Sequence, residues 1–387
     1  MRKNLPLPTH HVEELTGKDF RNLDSAIIDF ILEVNLKKIN PSPYSDFYFL
    51  DAWLTSFSEE VQDSRLYILR NIDTNQVCAI FPLKLERRNK VDQYKPWGVM
   101  FGYPQPLIDS TCSGRHLKLL YRHIKNKHRN FVIDFGPSKI NWFPIIDSNA
   151  ANEFFVSRHL TLQRKLDSPC INLSQDNFPV SSGLSQTIRT AKNRLTRELI
   201  VTNLFFNASN LDLRRLLLKK YREIHLNRWI NSNFKKNEFC EFNNILFEKT
   251  SNDKLISYFE LNSNISAIAL GIIKDETYYL FGICFDDSFK KYSPGVLLIE
   301  YIVKYLQMQG IKYFDFMNNL EDYKLKWTDN VQPRFQYTLH SNFVEFTKFR
   351  LVLTKDKLYI KLLPIYLRCK NKYINRLFMP IILFRKI

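Results

Sequence analysis

Lys290-Lys-Tyr-Ser-Pro-Gly-Val-Leu-Leu-Ile-Glu-Tyr-Ile-Val-Lys-Tyr-Leu-Gln-Met-Gln-Gly310, then Ile311-Lys-Tyr-Phe-Asp-Phe-Met317 and Glu321-Asp-Tyr-Lys-Leu-Lys-Trp327, decides how this chain is read. The order is a Pro-Gly start signal, an apolar-periodic helix, a glycine stop, a buried strand and a short polar-aromatic turn. A helix that opens on Pro294 and Gly295 leaves its first backbone N–H groups unpaired, so they can face an anion such as a pyrophosphate. Ser293 can cap, Lys290 and Lys291 set two cations just upstream, and the amides of Gly295 and Val296 complete the expected anion site. The same residues also suit an ordinary capped amphipathic helix, which needs no ligand.

Upstream of this stretch, Leu255 to Leu261, Ile265 to Ile273 and Thr277 to Cys284 read as strands. The short polar turns between them, Asn262 to Asn264 and Lys274 to Glu276, make an antiparallel meander. Before the meander stand two long helices, Leu211 to Ile230, capped by Ser209 or Asn210, and Asn237 to Thr250. A strand at Leu199 to Asn207 and a basic helix from Leu184 to Glu198, carrying Arg189, Lys192, Arg194 and Arg197, precede those. Leu173 to Gly183 is the best linker candidate. The first half reads as a hairpin (Leu66 to Arg70 with Val77 to Lys84), a polar loop at Arg87 to Lys95 and a strand at Trp97 to Tyr103. A basic helix at Arg115 to Lys127, a short buried strand at Phe131 to Phe135 and a helix at Asn149 to His159 follow.

The chain has 387 residues, enough for two domains of ordinary size. No run approaches the ~20 apolar residues that span a bilayer, and the N-terminus lacks the apolar core of a secretory signal, so a cytoplasmic location is expected. The six cysteines lie far apart without metal-ligand spacing and His10-His11 is an isolated pair; no metal is expected and the thiols should be reduced. Net charge is +17, which fits nucleic acid, an anionic membrane or a phosphorylated substrate as partner. From Glu345 to Ile387 eleven Lys or Arg face two Asp or Glu, so this tail alone supplies +9. Its mixture of cations and bulky apolar residues suits a segment lying on an anionic leaflet or a helix packed on the core. Hydrolase, NTPase and dehydrogenase motifs are all absent, and no DNA-reading motif accompanies the charge.

Tyr292 to Gly295, Gly310, Asp315-Phe316-Met317, Tyr323-Lys324 and Trp327 together resemble the signature of the acetyltransferases associated with bacterial cellulose biosynthesis (the CelD/BcsL type), a branch of the GNAT superfamily. A looser match runs through Tyr44 to Trp53, Pro169 to Leu173, Arg189 to Arg197 and His225 to Trp229. The chain departs from the usual GNAT phosphate loop, Arg/Gln-x-x-Gly-x-Gly/Ala, by having a single glycine. The resemblance implies a mixed α/β fold of tandem GNAT-like domains, each a mixed sheet flanked by helices, plus a basic C-terminal appendage. The expected parts are an N-terminal extension (1–40), an N-terminal acceptor-binding half (41–178), a donor-binding catalytic half (179–342) and the tail (343–387).

The resemblance further implies acyl transfer, with acetyl-CoA or another acyl-CoA as co-substrate and a nucleotide- or lipid-linked sugar amine or hydroxyl as acceptor in surface-polysaccharide or glycolipid synthesis, at the inner face of the membrane. A distant likeness to Fem-type transferases offers aminoacyl-tRNA as the alternative donor, and a non-catalytic membrane-docking module is a third reading. Asp315, between Phe314 and Phe316, is either a base or half of a salt bridge. Lys324 is expected at the developing oxyanion, Tyr323 as acid to the leaving thiolate and Glu321 in the same cluster. His225, Arg228, Trp229, Trp327 and Arg189 are the acceptor contacts. His225 and Arg228 share a helix face, where a carboxylate or phosphate or simply the helix dipole would account for them.

Overall fold

The computed structural model describes residues 10–36, 43–88, 91–98, 106–108, 114–138, 159–175, 180–249, 251–317, 320–345, 347–348 and 351. The first half contains β1 (His10–Thr16), α1 (Ser25–Leu36), α2 (Phe47–Ser56), β2 (Ser64–Asn71), β3 (Val77–Arg88), β4 (Val91–Pro96), β5 (Leu107–Ile108), α3 (Gly114–Lys127), β6 (Phe131–Ser138) and β7 (Leu160–Asn172). The second contains α4 (Ser182–Arg197), β8 (Thr202–Phe205), α5 (Leu211–Arg228), α6 (Asn237–Phe247), β9 (Lys254–Leu261), β10 (Asn264–Lys274), β11 (Thr277–Phe285), α7 (Pro294–Met308), β12 (Tyr313–Asp315), α8 (Asp322–Leu325) and β13 (Val331–His340).

Among the described residues the strands form one sheet in the order β1-β2-β3-β4-β6-β13-β7-β12-β11-β10-β9-β8, with β5 beside β3. This order is a palindrome of two equivalent halves. In each, an edge strand and two helices precede an antiparallel meander, then a crossover helix returns to a strand parallel to the meander's last: β6 beside β4, and β12 beside β11. The final strands are exchanged: β13 pairs with β6 of the first half, β7 pairs with β12 of the second, and the two pair antiparallel to each other. Two halves that trade their last strands cannot separate without breaking the centre of the sheet.

Both faces of the sheet are covered, which is why the meander strands β3 and β10 carry long apolar runs. Helices α1, α2, α5 and α6 share one core that crosses both halves, joined by contacts such as Phe49 edge-on to Phe242 at 5.2 Å. On the opposite face α3 covers the first half, and α4 and α7 cover the second. Strand β10 shows the division: Ile268, Leu270 and Ile272 face the shared core, while Ala267 and Ala269 face α7. The meander turns are tight two-residue loops, Asn262-Ser263 and Asp275-Glu276, each with both φ positive, the geometry that matches strand twist in hairpins.

Several expectations change. Residues 10–36 are not an appendage, since β1 forms the sheet edge against β2 and α1 packs in the shared core. The polar stretch Arg87 to Lys95 lies mostly in β3 and β4, which pair as an antiparallel hairpin. Trp97 and Gly98 form a turn after β4, and the rest of the strand expected there, 99–103, lies outside the described residues. The strand expected over Leu199 to Asn207 contracts to β8, and β7 and β13 were not anticipated. Residues 149–158 of the helix expected at Asn149 to His159, and nearly all of the 343–387 tail, lie outside the described residues. Among the described residues no helix is long and apolar enough to cross a membrane.

The end of β13 carries a pH dependence. Burial, with His159 beside it, holds His340 down to about 4 from an ordinary 6.5. The folded chain therefore takes up this proton later than the unfolded one, so the stabilisation is complete above pH 6.5 and is lost as pH falls toward 4. A gap of this size is worth about 3 kcal/mol, and His340→Gln should flatten that segment of the stability profile measured by urea melts at stepped pH.

Candidate active site

The register of β11 with β12 creates an opening. The strands pair in parallel at Thr277/Tyr313, Tyr278/Phe314 and Tyr279/Asp315, where β12 stops, while β11 runs on to Phe285. The cause is the Asp315 side chain. Its carboxylate accepts from the amide of Met317 two residues on (2.8 Å), pulling the chain into a turn with Met317 at φ 66. The same carboxylate accepts from Ser168 Oγ on β7 (2.8 Å) and pairs with Arg334 on β13 at 2.5 Å, with Asp315 and Arg334 both buried.

The walls of the opening come from three helices. Beside its upper edge, β11 bulges at Phe281, where Leu270 pairs with Gly282 and Gly271 with Leu280. Bulges re-aim a strand next to a site. Gly282 permits the close approach of Tyr221 from α5, since a Cβ there would collide with the Tyr221 hydroxyl. Burial pushes the Tyr221 phenol well up, with Cys284 and Tyr323 adding to it. Tyr323, on α8, lies edge-on to Phe316 with ring centres 6.3 Å apart, and its phenol is likewise raised by burial and by Glu321. Both phenols stay protonated at neutral pH and can donate. The floor is Met317, whose sulfur accepts from the Tyr44 hydroxyl at 2.7 Å, with Tyr44 stacked toward Phe281.

At the mouth stands the start of α7. Ser293 takes the left-handed conformation (φ 50) and makes no side-chain cap, Pro294 has no N–H, and the Ser293 carbonyl accepts from both Val296 and Leu297. Among the described residues this leaves the Gly295 N–H as the one amide of the first turn without an acceptor. Gly295 is packed on Phe285, whose ring a Cβ would meet at 3.1 Å. The Arg228 guanidinium lies 3.6 Å from the centre of that ring and 4.9 Å from that of Trp229. The C-terminus of α5 and the N-terminus of α7 thus meet over Phe285, a residue that sequence reasoning passed over.

Helix α5 is held in place by Arg214, fully buried, which donates to the carbonyls of Phe247 (2.7 Å), Ala208 (3.2 Å) and Lys254 (2.6 Å) and to Asn207 Oδ1 (2.8 Å). Asn210 caps the helix through Leu213 N at 2.9 Å. One turn beyond Tyr221, His225 shares a 2.8 Å hydrogen bond through Nδ1 with Ser232 Oγ, and burial together with Arg228 lowers its pKa. It is a neutral imidazole at neutral pH, so Arg228 supplies the positive charge on this face.

The expected site residues divide. Gly295, Ser293, His225, Arg228, Trp229 and Tyr323 border the opening or its mouth. Lys290 is exposed just upstream. Lys291 is turned aside into an ion pair with Glu198 (2.9 Å) and lies over Tyr292, and the Val296 amide is taken by Ser293, so neither fits the anion contact expected of it. Asp315 does not fit as a base: it is wholly enclosed and its oxygens are committed to Arg334, Ser168 and Met317 N. Its partner is Arg334, not Lys324. Lys324 is buried and pairs with exposed Glu321 at 3.1 Å. Trp327 is a core residue under α7, because its indole is 2% exposed among Leu297, Ile302 and their neighbours. Arg189 stays on the solvent face of α4, donating to Gln186. Tyr221, Gly282, Phe285 and Arg334 were missed, although an isolated glycine inside a strand pattern, Gly282, was a readable sign of close approach.

Comparison with known proteins bears on the fold. Residues 182–325, from α4 through α8, match the family model described as Acetyltransferase (GNAT) domain. No curated protein matches the chain. A protein of unknown function from Bacteroides thetaiotaomicron superposes with a TM-score of 0.51 at 14% identity, over 85% of this chain and 99% of the other. The C-terminal domain of a chain assigned as a lysylphosphatidylglycerol synthetase from Agrobacterium fabrum superposes with a TM-score of 0.50 at 10% identity, over 86% and 97%. FemX reaches 0.49 at 10% identity over 84% and 96%, too low a score to carry an argument. At such identities likeness shows the fold alone: a mixed α/β fold with a GNAT domain in its second half.

The contact at Gly282 is testable. Gly282→Ala should displace Tyr221 and close the upper part of the opening while the sheet survives, read as retained far-ultraviolet circular dichroism with altered near-ultraviolet tyrosine signals.

Proposed function

We propose that the chain is an acyltransferase whose donor lies in the opening between β11 and β12 and whose acceptor is an amine or hydroxyl delivered from the first half. The observation that carries this reading is the coincidence, at one place, of a parted parallel strand pair, a helix start with an unpaired amide, and two protonated phenols. An acyl-CoA would lay its thioester along the upper part of β11 and its diphosphate toward the Gly295 N–H, Arg228 and Lys290. The acceptor attacks the thioester carbonyl directly, with His225, neutral and half-buried, taking its proton. The tetrahedral oxyanion receives hydrogen bonds from the β11 backbone and Tyr221. Tyr323 protonates the thiolate as the carbon–sulfur bond breaks. No covalent enzyme intermediate is needed, and none of the cysteines serves as nucleophile.

Within this reading the acceptor is a sugar, nucleotide- or lipid-linked, and the basic 343–387 tail brings the protein to an anionic leaflet where such acceptors reside. The specific observation favouring a second reading is the sparse helix start: one free amide backed by Phe285 is less than a diphosphate cradle. Transfer from aminoacyl-tRNA, with the +17 charge engaging the nucleic-acid backbone, answers that observation.

Titration calorimetry with acetyl-CoA separates these. The first reading expects saturable binding that is lost in Gly295→Trp and weakened about tenfold or more in Arg228→Ala, the loss expected for a charge-assisted phosphate contact. Binding indifferent to Gly295→Trp overturns it. Absence of acetyl-CoA binding alongside aminoacyl-tRNA binding that falls steeply with salt selects the second.

A further inference from the structure

We propose that His10, Cys78 and His116 form a binding site for a borderline-soft divalent transition metal, zinc being the fitting ion. These residues are scattered in sequence and converge in space. His10 opens β1, paired with Asn71; Cys78 stands at the start of β3; His116 is in the first turn of α3. One ligand atom from each lies within 4.8 Å of the others. Cys78 and His116 are buried and His10 is half-buried, so an ion has a path in from the rim and a low-dielectric wall behind. The two imidazoles meet edge-on with ring centres 4.5 Å apart.

The chemistry of the set is selective. Two imidazole nitrogens and a thiolate suit zinc and its spectroscopic substitute cobalt and discriminate against magnesium and calcium, which take oxygen ligands. With Zn–N near 2.0–2.1 Å and Zn–S near 2.3 Å, tetrahedral ligands sit roughly 3.3–3.6 Å apart. The observed spread therefore closes by side-chain rotations of about 1 Å, without moving β1, β3 or α3. The Cys78 thiol now donates to the Leu69 carbonyl at 3.3 Å. On binding, the S–H bond breaks heterolytically, the sulfur keeps the electron pair to ligate the metal, and the proton leaves to solvent. No oxidant or reductant is involved. The fourth position is left for water or an added ligand.

The site lies in the first half, on the face covered by α3, and shares no residue with the β11/β12 opening. Its effect would be to clamp the outermost strand and the start of the crossover helix to β3. A cross-link between positions so far apart restrains the unfolded chain most.

The test is a Co2+ titration of the metal-stripped full chain. The expected result is one equivalent bound with the visible bands of four-coordinate cobalt and a thiolate-to-cobalt charge-transfer band in the near ultraviolet, displaced by Zn2+. Cys78→Ser should abolish the charge-transfer band, and His10→Gln should weaken affinity about tenfold or more. Zn2+ should raise the melting temperature of the native sequence, raise that of His10→Gln less at the same concentration, and leave that of Cys78→Ser the least changed. A native sequence without the charge-transfer band, or a band that persists in Cys78→Ser, overturns the proposal. If Cys78→Ser does not fold, His10→Gln decides alone: unchanged cobalt affinity there also overturns it.

Discussion

A buried ion pair shapes the centre of this molecule. Asp315 and Arg334 have been taken out of water together, at a cost of several kcal/mol per charge that their attraction and the supporting hydrogen bonds offset. Such a pair contributes little net stability against an apolar replacement, but it fixes geometry, because both oxygens of the Asp315 carboxylate have assigned partners. Here the partners lie on β12, β7, β13 and the turn at Met317. The carboxylate ends β12, bends the chain away from β11, and so opens the space in which the phenols, the helix start and Arg228 converge. The residue that sequence reading offered as a catalytic base or half of a salt bridge is the one that builds the opening.

The same pair seals the exchange of final strands. Since β13 of the second half completes the sheet of the first, and β7 the reverse, the opening rests on residues from both halves. The shared helical core reinforces this. Tyr44, near the start of the first half, bonds to Met317 at the floor of the opening, and α2 packs against α6 through Phe49 and Phe242. A change deep in the first half can therefore reach the opening through a few rigid contacts, without a loop in between.

How much of this was legible follows from the chemistry of each element. The meander, α5 and α7 announce themselves because apolar periodicity, polar turns and caps agree there. Strands β7 and β13 do not: they carry Pro169 and Pro333, Arg334 and Gln336, and sit in the middle of the sheet, where such residues argue against a strand. Arg334 and Gln336 donate to Asp315 and Asp134, pairings that no single segment displays. The stretch before Leu66 was underread for a different reason, since β1 is half-exposed and its pairing with β2 is nonlocal. The convergence of His10 with Cys78 and His116 was invisible on the same grounds: spacing along the chain reveals local metal motifs, not ones assembled across a sheet. Around the opening, Gly295, Arg228 and Tyr323 were legible from helix-start and cluster signals, while Tyr221 needed the fold to bring α5 against Gly282.

The most direct test of the central claim is urea unfolding of Asp315→Asn, Arg334→Met and the double variant. Each single change should cost about 3–5 kcal/mol by leaving one buried group without its partner, and the double variant should recover most of that loss. Single variants as stable as the native chain, or a double variant whose loss is the plain sum of the two, would contradict the claim that this pair holds the opening in place.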